Sequence, residues 1–199
     1  MIKPLALAAI LMAAVGAASP CSNGTTIDMQ VCWSKRNAAA SAELKTTYSE
    51  AIAYLKSSPR QTSELEASQA AWLAVRAKTC SFQYQLYSGG SIAPQLFIEC
   101  NDTASRTRAA ELSAFTKRTA HVSEQPVSQV AEVRLSRMVR LYNERLNPPQ
   151  RAQLAASQRA WLGYRDAWCA LAGGTCETRL TEDRVNQLES TWVGETFWS

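Results

Sequence analysis

The sequence predicts an all-α protein built from two repeated, disulfide-braced helical hairpin units, each with a short third helix. Three observations carry this expectation. First, one stretch of thirteen residues occurs twice, as Ser68-Gln69-Ala70-Ala71-Trp72-Leu73-Ala74-Val75-Arg76-Ala77-Lys78-Thr79-Cys80 and as Ser157-Gln158-Arg159-Ala160-Trp161-Leu162-Gly163-Tyr164-Arg165-Asp166-Ala167-Trp168-Cys169. Within it Gln, Trp, Arg and Cys stand three, four and four apart, which places them on one face of a helix. Second, apolar residues recur with helical period, most cleanly in Val127, Ala131, Leu135, Met138, Tyr142 and Leu146. Third, all six cysteines follow an apparent export signal, and an even count in an exported chain points to disulfides.

The 199 residues suffice for one domain or two small ones. Residues 1–18 read as a signal peptide. Lys3 gives a positive start, Leu5 to Val15 is an apolar run too short to span a membrane, and Val15-Gly16-Ala17-Ala18 is a small-residue cleavage region. Pro20 directly before Cys21 argues against a lipid anchor. The mature chain is expected to be soluble, without a membrane anchor, and periplasmic or secreted. The formal net charge of +4 is mild and scattered, which argues against nucleic-acid binding.

The first unit is expected over 21–118. Asn23-Gly24-Thr25-Thr26 makes a turn and a helix start, with Asp28 near the positive end of the helix dipole. Leu44, Tyr48, Ile52 and Leu55 mark the inner stripe of a first helix from about Thr26 to Lys56. Ser57-Ser58-Pro59 ends it. A second helix carries Leu65, Trp72, Val75 and Thr79 inward and stops before Gly89-Gly90. Tyr87 to Gln95 reads as a loop by its Gly and Pro content. Ser105 then reads as an N-cap, with Arg108 and Leu112 on one stripe to about Arg118. Residues 119–126, with the single His121 and Pro126, read as a linker.

The second unit is expected over 127–199. Its first helix bears the clean stripe above, and Pro148-Pro149 starts the next helix, through Leu154, Trp161 and Trp168 to Leu171. Gly173-Gly174 is the stop. Thr181, Arg184 and Leu188 lie at the same offsets from Cys176 as Ser105, Arg108 and Leu112 from Cys100. The copies differ in two ways. The second lacks counterparts of Cys21 and Cys32, and its inter-cysteine segment has six residues where the first has nineteen.

The repeat narrows the pairing of the cysteines. Cys169 and Cys176 most simply pair with each other, so by correspondence Cys80 pairs with Cys100, leaving Cys21 with Cys32. The rival pairing, Cys21 with Cys100 and Cys32 with Cys80, would staple the first helix to the second.

The pattern Thr26…Met29-x-x-Cys32, Leu44…Tyr48, Ser68-Gln69-x-x-Trp72-x-x-x-Arg76-x-x-x-Cys80, Cys100 and Arg108-x-x-x-Leu112 resembles the LprI-like lysozyme inhibitor family of exported bacterial domains. Arg165-Asp166-Ala167-Trp168-Cys169 repeats the family's wording in the second copy. The chain departs from it at Ser41-Ala42-Glu43-Leu44-Lys45 and at Ala77. The resemblance implies a lysozyme inhibitor that occludes the enzyme's cleft and has no chemistry of its own. The alternative is an extracytoplasmic interaction module whose partner is a cell-envelope protein or peptidoglycan.

No catalytic set, metal cluster or cofactor site is expected. His121 stands alone, and no Ser-His-Asp set, Cys-x-x-Cys or phosphate-binding Gly loop occurs. Glu64, Glu66, Asp102 and Asp166 read as helix-surface charges or ion-pair partners. Trp72 and Trp161 read as core, with Gln69 and Gln158 as partners for their N–H groups. Arg76 and Arg165 read as structural, laying their stems over the hairpin and bonding a carbonyl or carboxylate. Arg134, Arg137, Arg140 and Arg145 read as a solvated face. The candidate binding loop is Ser88, Gly89, Gly90, Ser91 and Gln95, tethered between Cys80 and Cys100 and longer than its counterpart. A tethered loop loses less entropy on binding. An ordinary connector is the competing reading of the same residues.

Overall fold

The computed structural model describes Cys21, residues 24–117 and residues 129–191. The expected signal, His121 and the aromatic tail from Trp192 lie outside these. The described residues form six helices and no strand: α1 Thr26–Tyr54, α2 Pro59–Leu86, α3 Ala93–Lys117, α4 Gln129–Arg145, α5 Pro148–Ala172 and α6 Cys176–Thr191. The all-α class stands.

Local chemistry sets the helix starts. Thr25 caps α1 in a capping box. Its hydroxyl accepts from the Asp28 N–H, and the Asp28 carboxylate accepts from the Thr25 N–H at 2.9 Å and from its hydroxyl at 2.7 Å. Asn147 and Gln150 make the equivalent box at α5, with Pro148 opening the helix.

α3 corrects one expectation. It begins at Ala93, well before Ser105, and runs for 25 residues. Ser105 is therefore a buried mid-helix residue and caps nothing. Pro94 reads in the sequence as a loop marker, but it stands in the first turn of α3, where a missing N–H costs nothing. The extra inter-cysteine residues of the first unit thus extend two helices past the Cys80–Cys100 bridge. Only 87–92 remain as the turn between them.

The third helix of each unit sits between its first and second. α1 packs along α3, α2 lies on α3, and α4 and α5 both lie on α6. α1 and α3 run parallel, since Arg36 meets Asp102, Glu43 meets Arg106 and Tyr54 meets Phe115 in ascending order. Buried Ala40, Ala51, Ser105 and Ala109 keep the elements near these helices slim.

The two units meet through their second helices. Thr79 reaches Ser157 and Gln85 reaches Gln150, so α2 and α5 are antiparallel. Antiparallel pairing of equivalent helices fits a two-fold relation between the copies, with the axis perpendicular to the pair. One buried cluster includes Leu65, Trp72, Phe82 and Leu112 of the first unit and Tyr142, Leu154, Trp161 and Leu188 of the second. Each large apolar side chain fully buried there contributes about 1.5–3 kcal/mol.

Three disulfides brace the frame: Cys21–Cys32, Cys80–Cys100 and Cys169–Cys176. This is the pairing read from the repeat. The rival pairing does not occur.

Candidate functional site

The recurring Ser-Gln of α2 and α5 holds a buried arginine from the third helix. In the first unit the Arg108 guanidinium donates to the Ser68 hydroxyl at 3.0 Å, to Gln69 Oε1 at 3.0 Å and to the Glu111 carboxylate at 3.3 Å. In the second unit Arg184 donates to the Ser157 hydroxyl, to Gln158 Oε1 and to Gln187 Oε1, each at 2.6 Å. Both guanidinium groups are buried. The glutamines thus accept from arginine, where the sequence reading had assigned them to the Trp N–H groups. The physical reason is strength: a charged donor makes a shorter, stronger bond than an indole N–H.

Each arginine also crosses to the other unit. Arg108 donates to the Tyr164 hydroxyl at 2.9 Å and lies over the Trp168 ring at 4.2 Å. Arg184 donates to the Thr79 hydroxyl at 3.3 Å. Tyr164 in turn donates to Glu111, which also receives Arg179 at 3.4 Å. Burial, and then the Glu111 charge, push the Tyr164 hydroxyl well above its ordinary range, so it stays a donor. These contacts weld the units.

Beyond these different partners across the units, the copies differ in the acceptor on the arginine's own helix. Glu111 corresponds to Gln187, so Arg184 carries a buried charge opposite a neutral amide. Burial pulls its guanidinium down to about 10. Gln187→Glu is therefore expected to stabilise the fold by about 1 kcal/mol at neutral pH. The new carboxylate would titrate below its unfolded value near 4.3 because of Arg184. The gain is then present above that value and is lost as pH falls through the folded one. Urea midpoints of both proteins at neutral and acid pH check this; a lower midpoint at neutral pH would refute it.

Trp72 and Trp161 are buried as read. Arg165 finds Glu132 at 2.9 Å and Asp166 at 3.2 Å. Arg76 finds no carboxylate among the described residues. It lies over the Trp72 ring at 4.9 Å, and its guanidinium donates to the Ser105 hydroxyl at 3.4 Å. Asp102 is buried between Arg36 and Arg106.

The candidate loop is the tip of the α2–α3 hairpin, beyond the Cys80–Cys100 bridge. Ser88, Gly89, Gly90 and Ser91 are exposed there. Gln95 is not with them: it lies in the first turn of α3 with its side chain buried. Ser88 is committed locally, donating to the Gln85 carbonyl at 3.0 Å. Gly89 adopts φ +94, which needs glycine. The Tyr87 hydroxyl donates to the Thr191 carbonyl at 3.1 Å, tying the tip to the second unit. Sequence reasoning missed the tip's apolar part. Tyr84 and Phe97 form an edge-to-face pair at 6.3 Å and are 41% and 39% exposed. Their helical spacing gave no sign that they would lie past the body of the fold.

The described residues contain no group of three His, Cys, Asp or Glu side chains able to hold a metal ion, and no helix long and apolar enough to cross a membrane. The architecture is a duplicated, disulfide-braced helical scaffold, a class suited to oxidising compartments outside the cytoplasm. The model of the lysozyme inhibitor LprI family matches residues 17–112 and 124–188. The chain belongs to that family, once in each unit. The fold is also similar to the crystal structure of an uncharacterized protein from Burkholderia thailandensis, with a TM-score of 0.66 at 20% identity, covering 84% of this chain and 87% of that one. No curated protein matches the chain.

Proposed function

We propose that the chain is an exported inhibitor of lysozyme, working in the periplasm or the medium, that occludes the enzyme's cleft without chemistry of its own. Membership of the lysozyme inhibitor LprI family across both units carries the partner. The α2–α3 tip supports the mode, because it is an exposed extension of the first unit with no counterpart of that length in the second. Lysozyme cleaves glycan in a cleft bearing two carboxylic groups. The tip offers the exposed Ser91 hydroxyl as a donor and the Tyr84–Phe97 pair as apolar contact. Exposed aromatic anchors commonly dominate such interfaces.

The test is a turbidity assay of chicken-type, goose-type and invertebrate-type lysozymes on bacterial cell walls, with the oxidised protein added. Slowing of at least one enzyme at micromolar concentration is expected. Tyr84→Ala with Phe97→Ala should then weaken inhibition by about thirtyfold, the size of a hot-spot loss of about 2 kcal/mol. No slowing of any enzyme would sink the inhibitor reading. Full potency in the double variant would move the contact away from the tip. Clearing of walls by the protein alone would indicate an enzyme instead.

A further inference from the structure

The outward face of α4 has a composition that the scaffold does not require. Val130 and Val133 are 70% and 68% exposed, one turn apart, and Arg137 and Arg140 continue the same stripe. Neither arginine has an ion-pair partner among the described residues, whereas Arg134 pairs with Glu189 at 3.0 Å. Glu182, which the repeat would place opposite Arg137, is not within ion-pair distance of it. Two acids flank the stripe: Glu144 at its far end, and Glu132 beside Val133, Arg137 and Arg140, its charge already paired with Arg165 at 2.9 Å.

The first unit shows what these positions otherwise do. Leu44 and Tyr48 correspond to Met138 and Tyr142, so Val130, Val133, Arg137 and Arg140 correspond to Arg36, Ala39, Glu43 and Thr46. There Arg36 and Glu43 pair with Asp102 and Arg106 of α3. The second unit has neither pair and turns valine and arginine to solvent.

We infer that the α4 face adsorbs to an anionic lipid surface. Charge complementarity carries this: two arginines without an ion-pair partner among the described residues project from a helix of 17 residues, about 25 Å long. A soluble polyanion would account for the arginines alone. An anionic bilayer surface accounts for the valines too, because interfacial helices bury apolar side chains at the headgroup boundary while cations meet the lipid charge. The contact is peripheral and involves no spanning segment.

The test is co-sedimentation of the full mature chain with phosphatidylglycerol-containing vesicles and with pure phosphatidylcholine vesicles. Binding to the first, falling steeply with salt, is expected. An arginine near such a surface raises partitioning about fivefold. Arg137→Gln with Arg140→Gln should thus lower it about twenty-fivefold. Val130→Ser with Val133→Ser should lower it without changing the salt slope. All four positions are exposed, and circular dichroism checks that the variants fold. Absence of binding to anionic vesicles at low salt, equal binding to both vesicle types, or binding that survives both variants would each overturn the inference. Loss in the arginine variant alone, with soluble polyphosphate competing fully, would also overturn it in favour of a free polyanion. Neither arm depends on lysozyme inhibition.

Discussion

Arg108→Ala is expected to cost about 3–5 kcal/mol of folding stability, the range found when one partner of a buried ion pair is removed. Arg108 is fully buried and donates to Ser68, Gln69, Glu111 and Tyr164. Removing it leaves the buried Glu111 carboxylate with the more distant Arg179 and the Tyr164 hydroxyl. It also opens a void beneath the Trp168 ring. Because its partners come from α2, α3 and α5, the loss should weaken the junction between the units as well as the first unit. Urea unfolding followed by circular dichroism measures the cost. Arg108→Met should recover part of the packing but not the polar pairing. A midpoint unchanged in both variants would show that the cluster contributes little.

Removing the Cys80–Cys100 bridge by Cys80→Ser with Cys100→Ser is expected to cost about 3 kcal/mol. The bridge closes a separation of 20 residues, and loop-closure entropy in the unfolded chain sets that size. The same change at Cys169 and Cys176, seven residues apart, should cost nearer 2 kcal/mol. The larger consequence is local. The bridge stands where α2 and α3 pass from the body of the fold into the tip, so without it residues 81–99 are held mainly by Tyr87, Gln85 and Phe82 contacts with the second unit. Hydrogen exchange should accelerate over 81–99 more than elsewhere, and the proposed lysozyme inhibition should weaken more than stability predicts. Uniform acceleration along the whole chain would refute the local role.

Much of the frame was legible in the residues. The Gln-Trp-Arg-Cys face placed Trp72 and Trp161 in the core because period alone reports which side of a helix is buried. The correspondence of Cys80, Cys100, Cys169 and Cys176 selected the bridges because a duplicated scaffold repeats its braces. Ser105 misled because a Ser before a helical stripe looks like a cap, whether the helix starts there or passes through. Gln95 misled because Pro94 marks a turn and a helix start equally well.

By itself, then, the sequence determined the helical class, the duplication, the disulfide frame and the buried face of each repeated helix. All of these are local or repeated patterns. Tertiary structure decided what those faces meet: Arg108 against Tyr164 across the units, Gln69 and Gln158 on arginine, Tyr84 and Phe97 past the bridge, and Val133 and Arg137 facing water. Those outcomes depend on pairs separated by tens of residues and on which helix lies between which. Periodicity fixes the direction a side chain takes from its own axis, but carries no information about the neighbour it finds there.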